Sequence, residues 1–307
     1  MAAGGSTKAI VAAFFANLGI ALAKLVGFFV TGASSMLAES VHSFADSGNQ
    51  GLLLWGGRAA KKAPDEEHQF GYSRERYFWS FVVSLVLFTL GSLFATFEGI
   101  EKIRHPHELE SIGVAIGILI FGILIEGWSF RTAVVEARPV KGNATWVSFI
   151  RHSRTPELPV VLLEDLGALV GLCLALGAIG MAQITGDPIW DGIGTLSIGI
   201  LLGVIAIILA IEMRSLLLGE GATKADMKKI RAAIESTPKV QHLIHIRTQH
   251  LGPEDLLVAC KVHFDEGLSV SELADAINAV EQRVRAQVPY ARPMYIEPDI
   301  RRQVAEA

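Results

Sequence analysis

The sequence predicts an α-helical membrane protein with six transmembrane helices, followed by a C-terminal cytoplasmic α+β domain of order αββαβ. Three observations lead to this class. The 307 residues are 51% hydrophobic and 19% charged, with a mean hydropathy of +0.42, more apolar than a soluble protein of this length sustains. Six apolar segments each reach the roughly 20 residues that a helix needs to cross a hydrocarbon core of about 30 Å. From about Gly219 the long apolar runs stop, and short amphipathic and alternating patterns take over. The expected domains are 1–216, the transmembrane part, and 217–307, the cytoplasmic α+β part.

The first span is read over 8–30. Its apolar run continues past residue 20 with no small-residue cleavage pattern, so it reads as a span rather than a removed signal. The second, over 34–57, is interrupted by Glu39, His42 and Asp46. The third (77–103), with "YFWSFVVSLVLFTLGSLFATF", and the sixth (188–213), with "GIGTLSIGILLGVIAIILAI", are the clearest. The fourth covers 111–137. The fifth, over 158–182, is interrupted by Glu164 and Asp165. Glycine recurs inside these spans, as close helix packing in lipid favours. Orientation follows from charge. Arg58, Lys61, Lys62, Arg74 and Arg76 lie in the segment from 58 to 76, and Arg131, Arg138, Lys141, Arg151 and Arg154 in the segment from 131 to 154. "TGASS" and "AQITGDPIWDG" carry no Lys or Arg. Both basic loops therefore belong in the cytoplasm, and both termini with them, as in a multi-pass protein of a bacterial-type inner membrane.

In the C-terminal part, "TKADMKKIRAAIES" has helical periodicity, while "HLIHIRTQHLG" and "DLLVACKVHFD" alternate like strands. "SVSELADAINAVEQRVRAQV" is an amphipathic helix with Ser269 placed to cap it, and "RPMYIEPD" reads as a last short strand. A sheet this small leaves a face free for a partner subunit, so a homodimer is expected. A net charge of -4 and a pI near 6.1 argue against nucleic-acid binding. Cys173 and Cys260 give neither a disulfide framework nor a thiolate metal site.

The chemistry lies in the interrupted spans. His42 and Asp46 stand at i and i+4, one turn apart on one helical face, a spacing that can chelate a metal. Ionisable groups inside a span face a bundle interior or a water-filled path, because lipid exposure costs about 2.5 kcal/mol or more. The alternative pairs Asp46 with Lys24 and leaves His42 bonded to a neighbouring helix. Glu164 and Asp165 supply a second acidic break. Adjacent helical residues differ by about 100° in direction, so the two are not equal ligands. Asp165 is the preferred one, and Glu164 is a partner behind the ligands, a proton site or the fourth ligand. Such nitrogen and oxygen donors suit a divalent ion, with Zn2+ first and Mn2+, Fe2+, Co2+ or Cd2+ also accommodated. Metal binding expels protons from His and carboxylates, so one site couples a cation to protons, with His42 the leading proton-coupling residue. Glu126, Asp187 and Asp191 read as structural, and "HPHE" at 105–108 as a solvated loop. No H-E-x-x-H occurs, which argues against an intramembrane metalloprotease, and no enzymatic activity is expected. A passive metal channel and a non-transporting metal sensor remain as alternatives.

With "HSFAD" in the second span, "DEEHQFGYSRERY" after it, "VVLLEDLGALVG" in the fifth and "GDPIWDGIGTL" before the sixth, the chain resembles the cation diffusion facilitator family of metal/proton antiporters from about residue 8 to 300. Within it, these motifs look most like the branch that includes an animal mitochondrial zinc transporter and its bacterial relatives. The resemblance implies a central site of His42, Asp46 and Asp165, with Val161 where a fourth ligand stands, so Glu164 or water completes the shell. It implies a loop site at Asp65 and His68, with Tyr72 in place of a further histidine. It also implies a regulatory site in the soluble domain at His245 and His263, with Glu297, Asp299 and His250 nearby. The function implied is export of a divalent transition metal, zinc foremost, from the cytoplasm in exchange for protons, by a homodimer in the lipid bilayer.

Overall fold

The computed structural model describes residues 2–31, 34–106 and 112–300, and of 2–6, 27, 28, 30, 31, 34–39, 41, 42 and 45 the backbone alone. The chain divides into two compact units. One comprises Met1–Lys62 and Glu75–Arg214, and the other Ala63–Arg74 and Ser215–Ala307.

The first unit is helical throughout: α1 (Ala2–Thr31), α2 (Ser34–Ala59), α3 (Glu75–Val86), a π-helical segment (Leu87–Leu93), α4 (Phe94–Arg104), α5 (Ile112–Lys141), α6 (Trp146–His152), α7 (Glu157–Thr185) and α8 (Ile189–Leu218). Among the described residues, five stretches are long and apolar enough to cross a membrane: Thr7–Val26, Glu75–Arg104, Ile112–Lys141, Glu157–Thr185 and Ile189–Leu218. α2 is the sixth long helix, 26 residues, at the place of the second expected span, where polar residues dilute its apolar character. The unit turns Phe15, Leu124, Ile200, Val204, Ile207 and Ile211 outward, as helices solvated by lipid tails do. Its interior instead carries small and polar groups, among them Ala9, Ala13, Ala16, Asn17, Lys24, Asn49, Gln50, Ser129 and Asp165.

Small residues set how closely helices approach. A Cβ at Gly199 of α8 would stand 2.6 Å from the backbone nitrogen of Thr96, and one at Gly99 of α4 would stand 2.5 Å from that of Leu196. α4 and α8 therefore cross backbone to backbone, which only glycine allows. Beside this crossing, Ser92 Oγ in the π-helical segment donates to the Gly199 carbonyl at 2.8 Å, satisfying a group that lipid could not.

In the second unit, α9 (Lys224–Glu235), β1 (Val240–Gly252), β2 (Asp255–Phe264), α10 (Val270–Gln287) and β3 (Met294–Pro298) follow the expected αββαβ order. β2 is the central strand, antiparallel to β1 and parallel to β3. Leu256, Val258, Cys260, Val262 and Phe264 alternate along β2 on the face that packs with Ile230, Ile234, Val280 and Val284 of α9 and α10. Ser269 caps α10 through a reciprocal capping box with Glu272.

Candidate transmembrane metal site

Four helices of the membrane unit supply its polar interior. The α2 backbone sets His42 and Asp46 one turn apart on one face. Asp46 is partly buried, while the His42 and Glu39 side chains lie outside the described residues. From α1, Lys24 Nζ donates to Ser43 Oγ at 3.2 Å, the next residue after His42.

α7 begins with a wholly enclosed stretch, every residue from 155 to 165 being buried. Val161 within it is fully buried and supplies only apolar contact at the fourth-ligand position. Asp165 is 1% exposed, and its Oδ2 accepts from Ser129 Oγ of α5 at 2.8 Å. Its Oδ1 is buried with no hydrogen-bond partner among the described residues. Native interiors rarely leave such an oxygen unsatisfied without a reason. Glu164 differs in this respect. Its Oε1 accepts from Asn49 Nδ2 at 3.1 Å and its Oε2 from Gln50 Nε2 at 2.7 Å, both donors from α2. Asn17 Nδ2 of α1 in turn donates to Gln50 Oε1 at 3.5 Å. Glu126, one turn before Ser129 on α5, is 3% exposed and within electrostatic reach of Asp165, Asp46 and Lys24.

Asp46, Glu126, Glu164 and Asp165 thus share one interior with a single described lysine, leaving an acidic excess that a divalent cation or protons can neutralise. Among the described residues, no three His, Cys, Asp or Glu side chains converge closely enough to hold an ion. Ser129, Asn17, Asn49 and Gln50 join this polar interior, and the sequence reading did not single them out. Asn49 and Gln50 had a signal, standing at i+3 and i+4 from Asp46 inside a span.

The other candidates fall in separate places. In the 63–74 connection, Asp65 Oδ1 accepts from the His68 backbone N–H at 2.7 Å and Oδ2 from the Tyr72 hydroxyl at 2.6 Å, so Asp65 organises its own loop. The His68 ring lies on Tyr72 with 4.4 Å between centroids, its Nδ1 3.7 Å from Asp65 Oδ1. In the soluble unit, strand register puts His245 opposite Lys261 and His263 opposite His242, on the sheet face away from the helices. Histidine 242 was not anticipated. A register shift between Leu243 and His245 turns it to the same side as His245. Glu297 and Asp299 bind Lys261 Nζ at 2.8 and 3.0 Å and hold that ammonium above the ordinary lysine range. His250 is buried on the other side, 6.1 Å from the Tyr290 ring. Asp191 pairs with Lys102 at 3.0 Å, and Asp187 Oδ1 accepts from the Ile189 N–H, both structural contacts. His107 and Glu108 of "HPHE" lie outside the described residues.

Carboxylates inside a multi-pass helical bundle mark ion or proton paths of the kind found in membrane transport proteins. Residues 10–218 match the cation efflux transmembrane domain and 222–298 the cation efflux protein cytoplasmic domain; the chain is a member of the cation efflux family. A mitochondrial proton-coupled zinc antiporter of Mus musculus is 32% identical over 245 residues, 79% of this chain and 43% of that protein. A metal tolerance protein of Arabidopsis thaliana is 30% identical over 265 residues, 85% of this chain and 57% of the other. The magnetosome protein MamB of Paramagnetospirillum magneticum is 24% identical over 283 residues, 91% and 89%. The chain spans about half the length of the first two of these relatives.

Proposed function

We propose that this protein exports a divalent transition-metal cation, Zn2+ foremost, from the cytoplasm in exchange for protons. The observation that carries this reading is Oδ1 of Asp165, buried without a hydrogen-bond partner among the described residues, in an acid-rich interior where Ser129 holds its other oxygen. The cation binds Asp165 together with His42 and Asp46 of α2, and protons take its place on those groups when it leaves. The zinc antiporter name of the mouse relative favours zinc and proton coupling, while the donor set also accommodates Mn2+, Fe2+, Co2+ and Cd2+. The soluble unit dimerises the chain, and His245 and His263, on the sheet face away from its helices, are the candidate ligands of a regulatory ion. Both termini are cytoplasmic by the charge bias of the loops.

Proteoliposomes test this. Zn2+ uptake should follow an imposed pH gradient and vanish in Asp165→Asn and Asp46→Asn. Uptake indifferent to the gradient would make the protein a passive channel, and ion binding without uptake would make it a sensor. Competition among the five ions under one gradient ranks the substrates.

A further inference from the structure

Glu164 lies next to the ligand Asp165, yet its surroundings differ in kind. Both of its oxygens are occupied by side-chain amides of α2, Asn49 Nδ2 at 3.1 Å and Gln50 Nε2 at 2.7 Å. All three side chains are at least 95% buried, Glu164 being 5%, Asn49 2% and Gln50 0% exposed. The chain of contacts continues to α1, because Gln50 can donate its amide to Glu164 only by presenting its Oε1 to the other side, where Asn17 Nδ2 meets it at 3.5 Å. Three helices are joined by one run of hydrogen bonds with a fixed donor-to-acceptor direction.

The direction of each α7 side chain follows from this. Residues 164 and 165 differ by about 100° around the helix. With Glu164 fastened to α2, Asp165 is turned to α5, where Ser129 receives it. α7 is thus pinned against rotation at two points. The amides stand three and four residues beyond Asp46 on α2, on the same broad face as His42 and Asp46 and about one turn along. We infer that Asn49 and Gln50 clamp Glu164 as a positioning residue, one that fixes the rotation of α7, and with it the direction of Asp165, and keeps its own oxygens out of the ion's coordination shell. Val161 is then not compensated by Glu164, and the protein supplies three ligands, leaving a fourth place for water. This rests on the transport reading given above.

The directionality of the bonds provides the test. Glu164→Gln turns an amide N–H toward an amide N–H. The exchange Glu164→Gln with Gln50→Glu restores every bond, because the carboxylate at 50 accepts from both Asn17 and the new amide at 164, whose oxygen accepts from Asn49. Zn2+ uptake by the full chain in proteoliposomes should show KM raised about tenfold or more in Glu164→Gln, with kcat within about threefold of wild type. The exchanged double variant should bring KM back to within about threefold. A double variant no better than Glu164→Gln overturns the inference, because a ligand or proton carrier cannot be moved to position 50. Wild-type kinetics in Glu164→Gln overturns it too, as the clamp would then position nothing. If Glu164→Gln fails to fold, Asn49→Leu serves with Glu164 intact: raised KM at unchanged kcat is expected, and unchanged KM refutes the clamp. Asp165→Asn runs beside these. Its full activity would sink the transport site itself, a result separate from any outcome at Glu164.

Discussion

The ion pair between α3 and α7 is the contact whose loss the structure allows to be worked through. Arg76 Nε donates to Glu157 Oε1 and its Nη2 to Oε2 at 2.8 Å, a two-pronged contact with side chains only 11% and 3% exposed. Arg76→Leu leaves a buried carboxylate with its main counter-charge removed. Breaking one side of such a pair costs about 3–5 kcal/mol. Glu157 also stands in the first turn of α7, where the helix dipole offsets about 0.3–1 kcal/mol, so a loss near 3 kcal/mol is expected. Replacing both, in Arg76→Leu with Glu157→Leu, removes the stranded charge and should lie within about 1 kcal/mol of wild type. Reversible denaturant titration in mild detergent, run as a double-mutant cycle, measures the coupling. A loss under about 1 kcal/mol in Arg76→Leu, or a double variant as unstable as the two singles summed, would refute the reasoning.

Further expectations concern single groups. Ser129→Ala removes the only bond to Asp165 Oδ2 among the described residues and should weaken ion binding by about 10- to 100-fold, read as KM for Zn2+ uptake; an unchanged KM would remove Ser129 from the site. Burial pushes the Cys260 thiol up to about 11, so it should resist alkylation at pH 8 until the soluble unit is unfolded. Its folded value lies above the unfolded one, so its contribution to stability is complete below about pH 8.5 and is lost as pH rises toward 11. The Ser269 N–H and hydroxyl hold Glu272 below the ordinary carboxylate range, so that contribution is present at neutral pH and fades as acid takes the pH below that range. Ser269→Ala should destabilise the soluble unit by about 1 kcal/mol and flatten this acid limb; thermal melts against pH would show an undiminished limb if the cap does not act.

The long helices were legible because a bilayer demands about 20 apolar residues in a row; the expected 77–103 and 158–182 lie within Glu75–Arg104 and Glu157–Thr185. The short helix α6 was not, since seven residues with a Thr145 cap show too few turns for a period. Period counting equally could not reveal the π-helical segment, which interrupts the third span without changing its composition. At the site, His42, Asp46 and Asp165 stood out because charge in a span is rare. What Glu164 touches was hidden, because it depends on where Asn49 and Gln50 arrive from a helix more than a hundred residues away in sequence. The same holds for Glu297 and Asp299. The family resemblance put them near ligand positions, and their contact with Lys261 on the adjoining strand could not be read from spacing. His242 escaped notice because strict alternation would turn it away from His245, and only the irregularity in β1 brings the two to one side.

The enclosed opening turns of α7 bear on how quickly the protein can work. With every side chain from 155 to 165 packed on all sides, no single rotamer flip on the picosecond-to-nanosecond scale uncovers Asp165 from that end. Whole turns must slide or tilt together, a collective displacement of the microsecond-to-millisecond kind. In the exchange proposed above, it is this collective displacement, not a local side-chain motion, that would open Asp165 from the α7 end.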